Sequence, residues 1–156
     1  MALSRAIVGF SSTDSSSYQL MTTWKDTANI VFNFTCCNLQ NEKDLENEEH
    51  IKNICRERIN SGDKYILLIG EDTKYKYKYV QWEAQVAIEK GCTIIGVNLD
   101  GARKMIDSKC PEVIKNTGAI FVPFSPKIVR YAIENFIMRD DGSYHYIDKI
   151  YRDLGY

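Results

Sequence analysis

Short segments rich in β-branched residues alternate along this chain with longer segments whose apolar residues recur at helical spacing. The alternation sets the narrowest limits on the fold, because strands separated by helices pair in parallel through crossover connections. The first of these segments is apolar almost without interruption, as expected for a strand covered by helices on both faces. The predicted strands are residues 6–10, 30–34, 65–70, 93–97 and 119–122.

Capping residues indicate where the intervening helices begin and end. Asp14 and Asn47 are residue types that accept hydrogen bonds from the first N–H groups of a helix. Proline is favoured in the first helical turn, as at Pro126 after Ser125, and a glycine such as Gly91 ends a helix. Five helices are predicted. The first follows Asp14, the second follows Asn47, the third spans residues 79–90, the fourth begins at Pro126 and the fifth lies within residues 144–156.

Right-handed crossovers between these strands predict an α/β protein, a three-layer flavodoxin-like fold with a five-stranded parallel sheet of order 2-1-3-4-5. The length fits one domain, so residues 1–156 are interpreted as a single domain with a C-terminal extension at 143–156. In such sheets the ligand crevice lies beyond the carboxyl ends of the strands, where the strand order reverses. This rule selects the loops at residues 10–14 and 71–83, while residues 100–117 show no decisive pattern.

The charge balance and the cysteine content argue against several classes of function. The 20 Lys and Arg residues against 21 Asp and Glu residues leave no overall field that would attract nucleic acid or an anionic membrane. Five cysteines without a C-x-x-C pair, together with only two histidines, argue against a metal site. No secretory signal or membrane span is recognisable, so we expect a cytoplasmic protein with reduced thiols.

The loop after the first predicted strand combines hydroxyl groups with the start of a helix. Residues 10–15 read FSSTDS, and the N–H groups at a helix N-terminus can hold a phosphate. A serine- and aspartate-rich helix cap explains the same residues equally well. The motifs G-x-G-x-x-G and G-x-x-x-x-G-K-[ST] are absent, which disfavours a Rossmann dinucleotide site and a P-loop NTPase.

Two other functions of this fold are disfavoured at the same loop. A phosphoacceptor receiver needs acidic residues directly after the first strand and a lysine after the fifth, but Phe10-Ser11 and Pro123-Phe124 stand there. A flavodoxin would have a serine-rich loop after the first strand, yet the glycine of that loop is missing from residues 11–17. A flavin site therefore stays open but has little support.

Glu83 is the carboxylate with the strongest claim to a chemical role. It lies three residues after Val80 and four before Ala87, at the border of the apolar stripe of the third predicted helix. The helix N-terminus favours its ionised form, which suits it to stabilise a developing positive charge or to accept hydrogen bonds from ribose hydroxyls. A glutamate early in a helix is also explained by the helix dipole alone, so the residue by itself leaves both interpretations open.

The region around Glu83 resembles a known family. The pattern has an aromatic residue at Tyr79, the glutamate at Glu83, and a basic residue and a glycine that end the helix before the next strand. On these residues the chain resembles the TIR-like proteins of the Thoeris bacterial anti-phage system. The matching segments read VGFS at 8–11, RIN at 58–60, YILLIG at 65–70, YVQWE at 79–83, IEKG at 88–91 and IIGV at 94–97.

The resemblance implies a TIR-like enzyme that cleaves the N-glycosidic bond of NAD+, releases nicotinamide and forms a cyclic or otherwise modified ADP-ribose signal. The signal would activate a separate effector protein; NAD+ is the substrate, and no cofactor or metal is expected. The resemblance also allows self-association, with no nucleic-acid or membrane partner. It makes Glu83 the catalytic glutamate, and the expected substrate-binding residues are Phe10, Ser11, Ser12, Asp14, Tyr79 and Trp82. The alternative is a non-catalytic TIR-like module that binds a protein or a nucleotide.

Overall fold

The computed structural model describes most of the chain. Residues 4–24, 30–33, 47–61, 63–75 and 79–156 are described, with side chains at all of these positions except 4, 5, 30–33 and 79. The side chain of Tyr79, one of the expected substrate-binding residues, therefore lies outside the described part.

Within the described residues, six parallel strands form one sheet of order β2-β1-β3-β4-β5-β6. The order reverses at β1, which lies between β2 and β3. The predicted α/β flavodoxin-like fold with a parallel sheet is confirmed, and it differs from the prediction by a short sixth strand at one edge. The strands are β1 (Ser4–Gly9), β2 (Ile30–Asn33), β3 (Lys64–Ile69), β4 (Thr93–Asn98), β5 (Ala119–Pro123) and β6 (Ser143–Tyr144).

Helices and short 3-10 turns connect the strands. The side chain of Asn47 accepts a hydrogen bond from the His50 N–H at 3.1 Å, as predicted for the cap of the second helix. Asp14 precedes the first helix but makes no capping hydrogen bond, so this predicted cap is absent. The helices are α1 (Ser15–Thr22), α2 (Glu48–Arg58), α3 (Tyr79–Glu89), α4 (Pro126–Asn135) and α5 (Asp148–Asp153), and the 3-10 turns are Ser12–Asp14, Thr73–Tyr75 and Glu112–Ile114.

Two hydrophobic clusters cover the two faces of the sheet. One contains the buried residues of α2 and α3, among them Cys55. The other contains the buried residues of α1, α4 and α5. Helical spacing predicts that Leu20, Met21 and Trp24 share the apolar face of the first helix with Ser17. Met21 and Trp24 are buried, but Leu20 is 54% exposed and Tyr18 is buried instead. Among the described residues, no helix has the length and the apolar content that crossing a membrane requires.

Candidate active site

Glu83 lies on the buried side of α3 and is only 2% exposed. Helical spacing places it between Val80, Ala84 and Ala87, which are buried against the sheet. Its Oε1 atom accepts a hydrogen bond of 2.6 Å from the hydroxyl of Tyr65. The sequence predicts that Glu83 lies at the border of the apolar stripe, whereas the structure buries its side chain. Because a buried carboxylate is costly unless polar partners replace its hydration, the carboxylate needs a partner such as the Tyr65 hydroxyl.

Gly9 provides the space in which this pair meets. It is the last residue of β1 and lies opposite Leu67 of β3, two residues beyond Tyr65. A Cβ atom on Gly9 would overlap both the Tyr65 hydroxyl and Oε1 of Glu83. The missing side chain at position 9 therefore lets the carboxylate of α3 approach the carboxyl end of β1.

Hydroxyl–carboxylate hydrogen bonds join the loop after β1 to the loop after β3. The Ser11 hydroxyl donates to Oδ2 of Asp72 at 3.2 Å, and the Thr13 hydroxyl donates to Oδ1 at 2.8 Å. Ser11 is fully buried, whereas Ser12 is exposed. Of the two expected serine contacts, Ser11 thus holds the loops together, and Ser12 presents its side chain to solvent.

Asp14 lies against the same pair of loops. Its Oδ2 atom accepts a 3.5 Å hydrogen bond from the Thr73 hydroxyl, which in turn accepts one from the Gly70 N–H at 2.8 Å. Burial raises the pKa of the Asp14 carboxyl above its ordinary value; the charges of Asp72 and Glu71 raise it further, while the Thr73 hydrogen bond lowers it. Asp14 therefore binds a proton more readily than an exposed aspartate does.

A cavity of about 240 Å³ opens at the carboxyl ends of β3 and β4, beside Asp14. The ammonium group of Lys109 lies in its wall, 2.9 Å from Glu71 and 3.0 Å from Asp100. These carboxylates raise the pKa of Lys109 through hydrogen bonds, so the lysine stays charged. The cavity is lined by Asp14, Ser17, Ile69, Gly70, Glu71, Leu99, Asp100 and Lys109, and Glu83 is not part of its wall.

Two of the expected aromatic contacts, Phe10 and Trp82, have side chains in the described part of the chain. The Phe10 ring stacks on Tyr18 with 4.8 Å between ring centroids, in the hydrophobic cluster on the α1 side of the sheet. Trp82 packs, half-buried, against the cluster on the opposite side, which contains the residues of α3. The two side chains therefore lie on different faces of the sheet.

Sequence reasoning missed several residues of this region, above all Tyr65 and Gly9. Tyr65 reads as a core aromatic at the start of a buried strand, although a tyrosine in place of a phenylalanine indicates a hydrogen-bond partner. Gly9 interrupts a run of apolar strand residues, and such a glycine often marks a close approach of another group. Asp72 and Thr73 follow β3 in a polar loop, where nothing in the sequence distinguishes them from ordinary surface residues.

Residues 8–104 match the family model described as Thoeris protein ThsB, TIR-like domain. The matched part, more than half of the chain, includes Gly9, Tyr65 and Glu83. A search of the curated proteins found no match. The chain therefore belongs to the TIR-like domain family of the Thoeris protein ThsB, a family of bacterial anti-phage defence.

Proposed function

We propose that this protein is a defence enzyme that cleaves NAD+ at its N-glycosidic bond and releases nicotinamide. The other product is a cyclic or otherwise modified ADP-ribose that activates a separate effector protein. Family membership supports the reaction class. The observation that carries the proposal is the buried carboxylate of Glu83, paired with Tyr65 at the carboxyl end of β1.

The reaction needs a negative charge at the ribose. When the bond between ribose C1′ and the nicotinamide nitrogen breaks, its electron pair stays with the nitrogen, so nicotinamide leaves as a neutral molecule. The ribose then carries oxocarbenium character, which an ionised carboxylate beside C1′ stabilises. To form the cyclic product, a nucleophilic atom of the ADP-ribose itself makes the new bond to C1′ and a proton is lost.

The surroundings of Glu83 suit this role. The Tyr65 hydroxyl donates a hydrogen bond to Oε1 of Glu83 at 2.6 Å, and a low local dielectric strengthens the attraction of a carboxylate to a cation. At 2% exposure, however, the carboxylate is reached by a ribose only after neighbouring groups shift. We therefore expect turnover to depend on a stimulus or on assembly of several copies.

The loop after β1 is proposed to hold the rest of the substrate. Ser12 offers an exposed hydroxyl, and Asp14 lies at the edge of the 240 Å³ cavity. The side chains of Phe10 and Ser11 are engaged with Tyr18 and Asp72, so their contribution would come from the backbone. On α3, Trp82 and Tyr79 remain proposed contacts.

Glu83→Gln tests the proposal, because it removes the charge with almost no change in shape. Small nucleotides are measured by mass spectrometry in lysates of cells that carry either protein, before and after phage challenge. We expect nicotinamide and an ADP-ribose-type species with the wild type, and a loss of about 10²-fold or more with the variant. Thermal unfolding of both purified proteins verifies that the variant is folded.

Glu57→Gln is the matched control, since it makes the same change at an exposed position of α2. It is expected to give the wild-type nucleotide profile and wild-type protection. If Glu83→Gln protects cells and also leaves the nucleotide profile unchanged, Glu83 has no catalytic role. The non-catalytic binding module would then be the better description.

A further inference from the structure

We infer that Tyr65 is a positioning residue for Glu83 and that the lack of a side chain at Gly9 is what allows the two to meet. The inference rests on the proposed catalytic role of Glu83. It adds a second side chain, and a glycine, to the groups on which turnover depends.

The ring of Tyr65 is held rigidly in the sheet. Tyr65 lies in β3, paired with Ile7 of β1 on one side and with Ile94 of β4 on the other. Its side chain is 0% exposed. Hydrogen bonding to two neighbouring strands and complete burial fix the ring, so its hydroxyl is a donor whose place is set by the sheet.

The hydrogen bond from Tyr65 orients the Glu83 carboxylate. The distance of 2.6 Å between the Tyr65 hydroxyl and Oε1 of Glu83 is in the range of a charge-assisted bond from a hydroxyl to a carboxylate. A glutamate side chain has several rotatable bonds, and a fixed donor restricts them to one arrangement. Preorganisation of this kind assists a reaction because the charged group does not have to reorient as positive charge develops.

Gly9 leaves the space that the Tyr65–Glu83 pair occupies. Any Cβ atom at this position would displace the Tyr65 hydroxyl, Oε1 of Glu83, or both. The backbone of Gly9 lies in a regular strand, so alanine has no conformational penalty there, and its effect would come from this overlap. Gly9→Ala and Tyr65→Phe are therefore two independent ways to disturb the same pair.

Tyr65→Phe is the decisive variant, measured as NAD+ turnover by the full chain under the stimulus that activates the wild type. Because the oxocarbenium charge exists only in the transition state, we expect kcat to fall about tenfold or more and KM to change by less than about threefold. Gly9→Ala should lower kcat in the same way. The double variant should lose less than the product of the two single losses, because both changes act on one pair.

Tyr151→Phe is the matched control. Tyr151 lies on α5, is 1% exposed, and its hydroxyl has no hydrogen-bond partner within the described part of the chain. The same chemical change at an equally buried tyrosine should leave kcat at the wild-type value. Thermal unfolding of both phenylalanine variants separates a change in turnover from a loss of folded protein.

Proton NMR gives a readout that does not need turnover. A tyrosine hydroxyl bonded to a buried carboxylate should give a downfield, slowly exchanging resonance. The signal should be lost in Tyr65→Phe, shifted in Glu83→Gln and retained in Tyr151→Phe. Absence of any such resonance in the wild type would contradict the pairing.

The outcomes separate this inference from the proposed function. If folded Tyr65→Phe keeps wild-type kcat while Glu83→Gln is inactive, Tyr65 is no positioning residue and the proposed function stands. If Glu83→Gln turns over NAD+ like the wild type, the proposed function fails, and the Tyr65 pair is structural only. A selective loss of kcat in Tyr65→Phe, together with its missing resonance, supports the inference.

Discussion

At the scale of single residues, the candidate site consists of polar side chains that hydrogen-bond to one another. Glu83 is paired with Tyr65, and Asp72 accepts hydrogen bonds from Ser11 and Thr13. Asp14 is less well satisfied, since its hydrogen bond from Thr73 is 3.5 Å long and burial raises its pKa. A carboxyl with a raised pKa in the folded state is destabilising when it is ionised.

We expect Asp14→Asn to increase the free energy of unfolding near neutral pH. The native pKa of Asp14 lies above the ordinary 3.8, so the folded state binds its proton more tightly than the unfolded state does. The contribution of Asp14 to the free energy of unfolding is therefore most favourable below the ordinary pKa and is lost as the pH rises through the native pKa. Asparagine avoids this loss and still accepts the Thr73 hydrogen bond. Urea unfolding at several pH values measures the difference, which should shrink as the pH falls.

Asp140→Asn is the control, as it makes the same change at an exposed residue. It should leave the free energy of unfolding nearly unchanged at each pH. A stability gain in Asp14→Asn that did not vary with pH would mean that ionisation of Asp14 is not its cause.

At the scale of elements, glycines in left-handed conformations, Gly118 and Gly142, directly precede β5 and β6. Gly118 precedes β5 with φ +88°, and its N–H donates to the Gly142 carbonyl at 2.8 Å. A Cβ atom on Gly118 would overlap the backbone carbonyl of Arg139. Gly101, after β4, has nearly the same φ of +87°, but a Cβ atom there would have no neighbour within 4 Å.

Alanine at these two glycines separates backbone strain from steric overlap. Gly101→Ala should lower the free energy of unfolding by about 1 kcal/mol, the cost of the left-handed conformation. Gly118→Ala should lower it by about 2 kcal/mol more, because the carbonyl of Arg139 has to move as well. Urea unfolding of both variants gives the comparison. Equal losses would show that the segment around Arg139 relaxes without cost.

At the scale of the whole molecule, the C-terminal residues complete the core although they lie beyond the matched family region. Tyr151 of α5 is 1% exposed, with the guanidinium of Arg103 4.1 Å from its ring centroid. The Tyr156 hydroxyl accepts a hydrogen bond from the Ile128 N–H at 3.2 Å, in the first turn of α4. The predicted C-terminal helix is therefore packed on the fold, while the assignment of residues 1–156 to one domain stays a prediction.

Tyr151→Ala should lower the free energy of unfolding by about 3 kcal/mol or more, because it leaves a cavity where a large ring was buried. Ile147→Ala, four residues earlier in the chain, should cost little, since Ile147 is 66% exposed. Thermal and urea unfolding of the two variants test this difference. A small loss at Tyr151 would mean that the C-terminal segment contributes little to the stability of the fold.

The fold could be predicted because its signals are local. Asn47 and Pro126 begin helices, and apolar runs such as residues 65–70 form strands, through the conformational preferences of neighbouring residues. Ser125 shows the limit of such reasoning. It precedes α4 as expected, yet its side chain makes no capping hydrogen bond. Instead, the N–H of Ile128 in the first turn of α4 donates a hydrogen bond to the Tyr156 hydroxyl.

The candidate site was predictable in part. Helical spacing and the family pattern single out Glu83 in the sequence, because both are read along one helix. Its partners, Tyr65 and Gly9, lie on two other elements, and only the register of β1 against β3 brings them together. The fold class and the candidate carboxylate thus follow from short-range order in the chain, whereas the pairing and burial of that carboxylate depend on contacts between residues far apart in sequence.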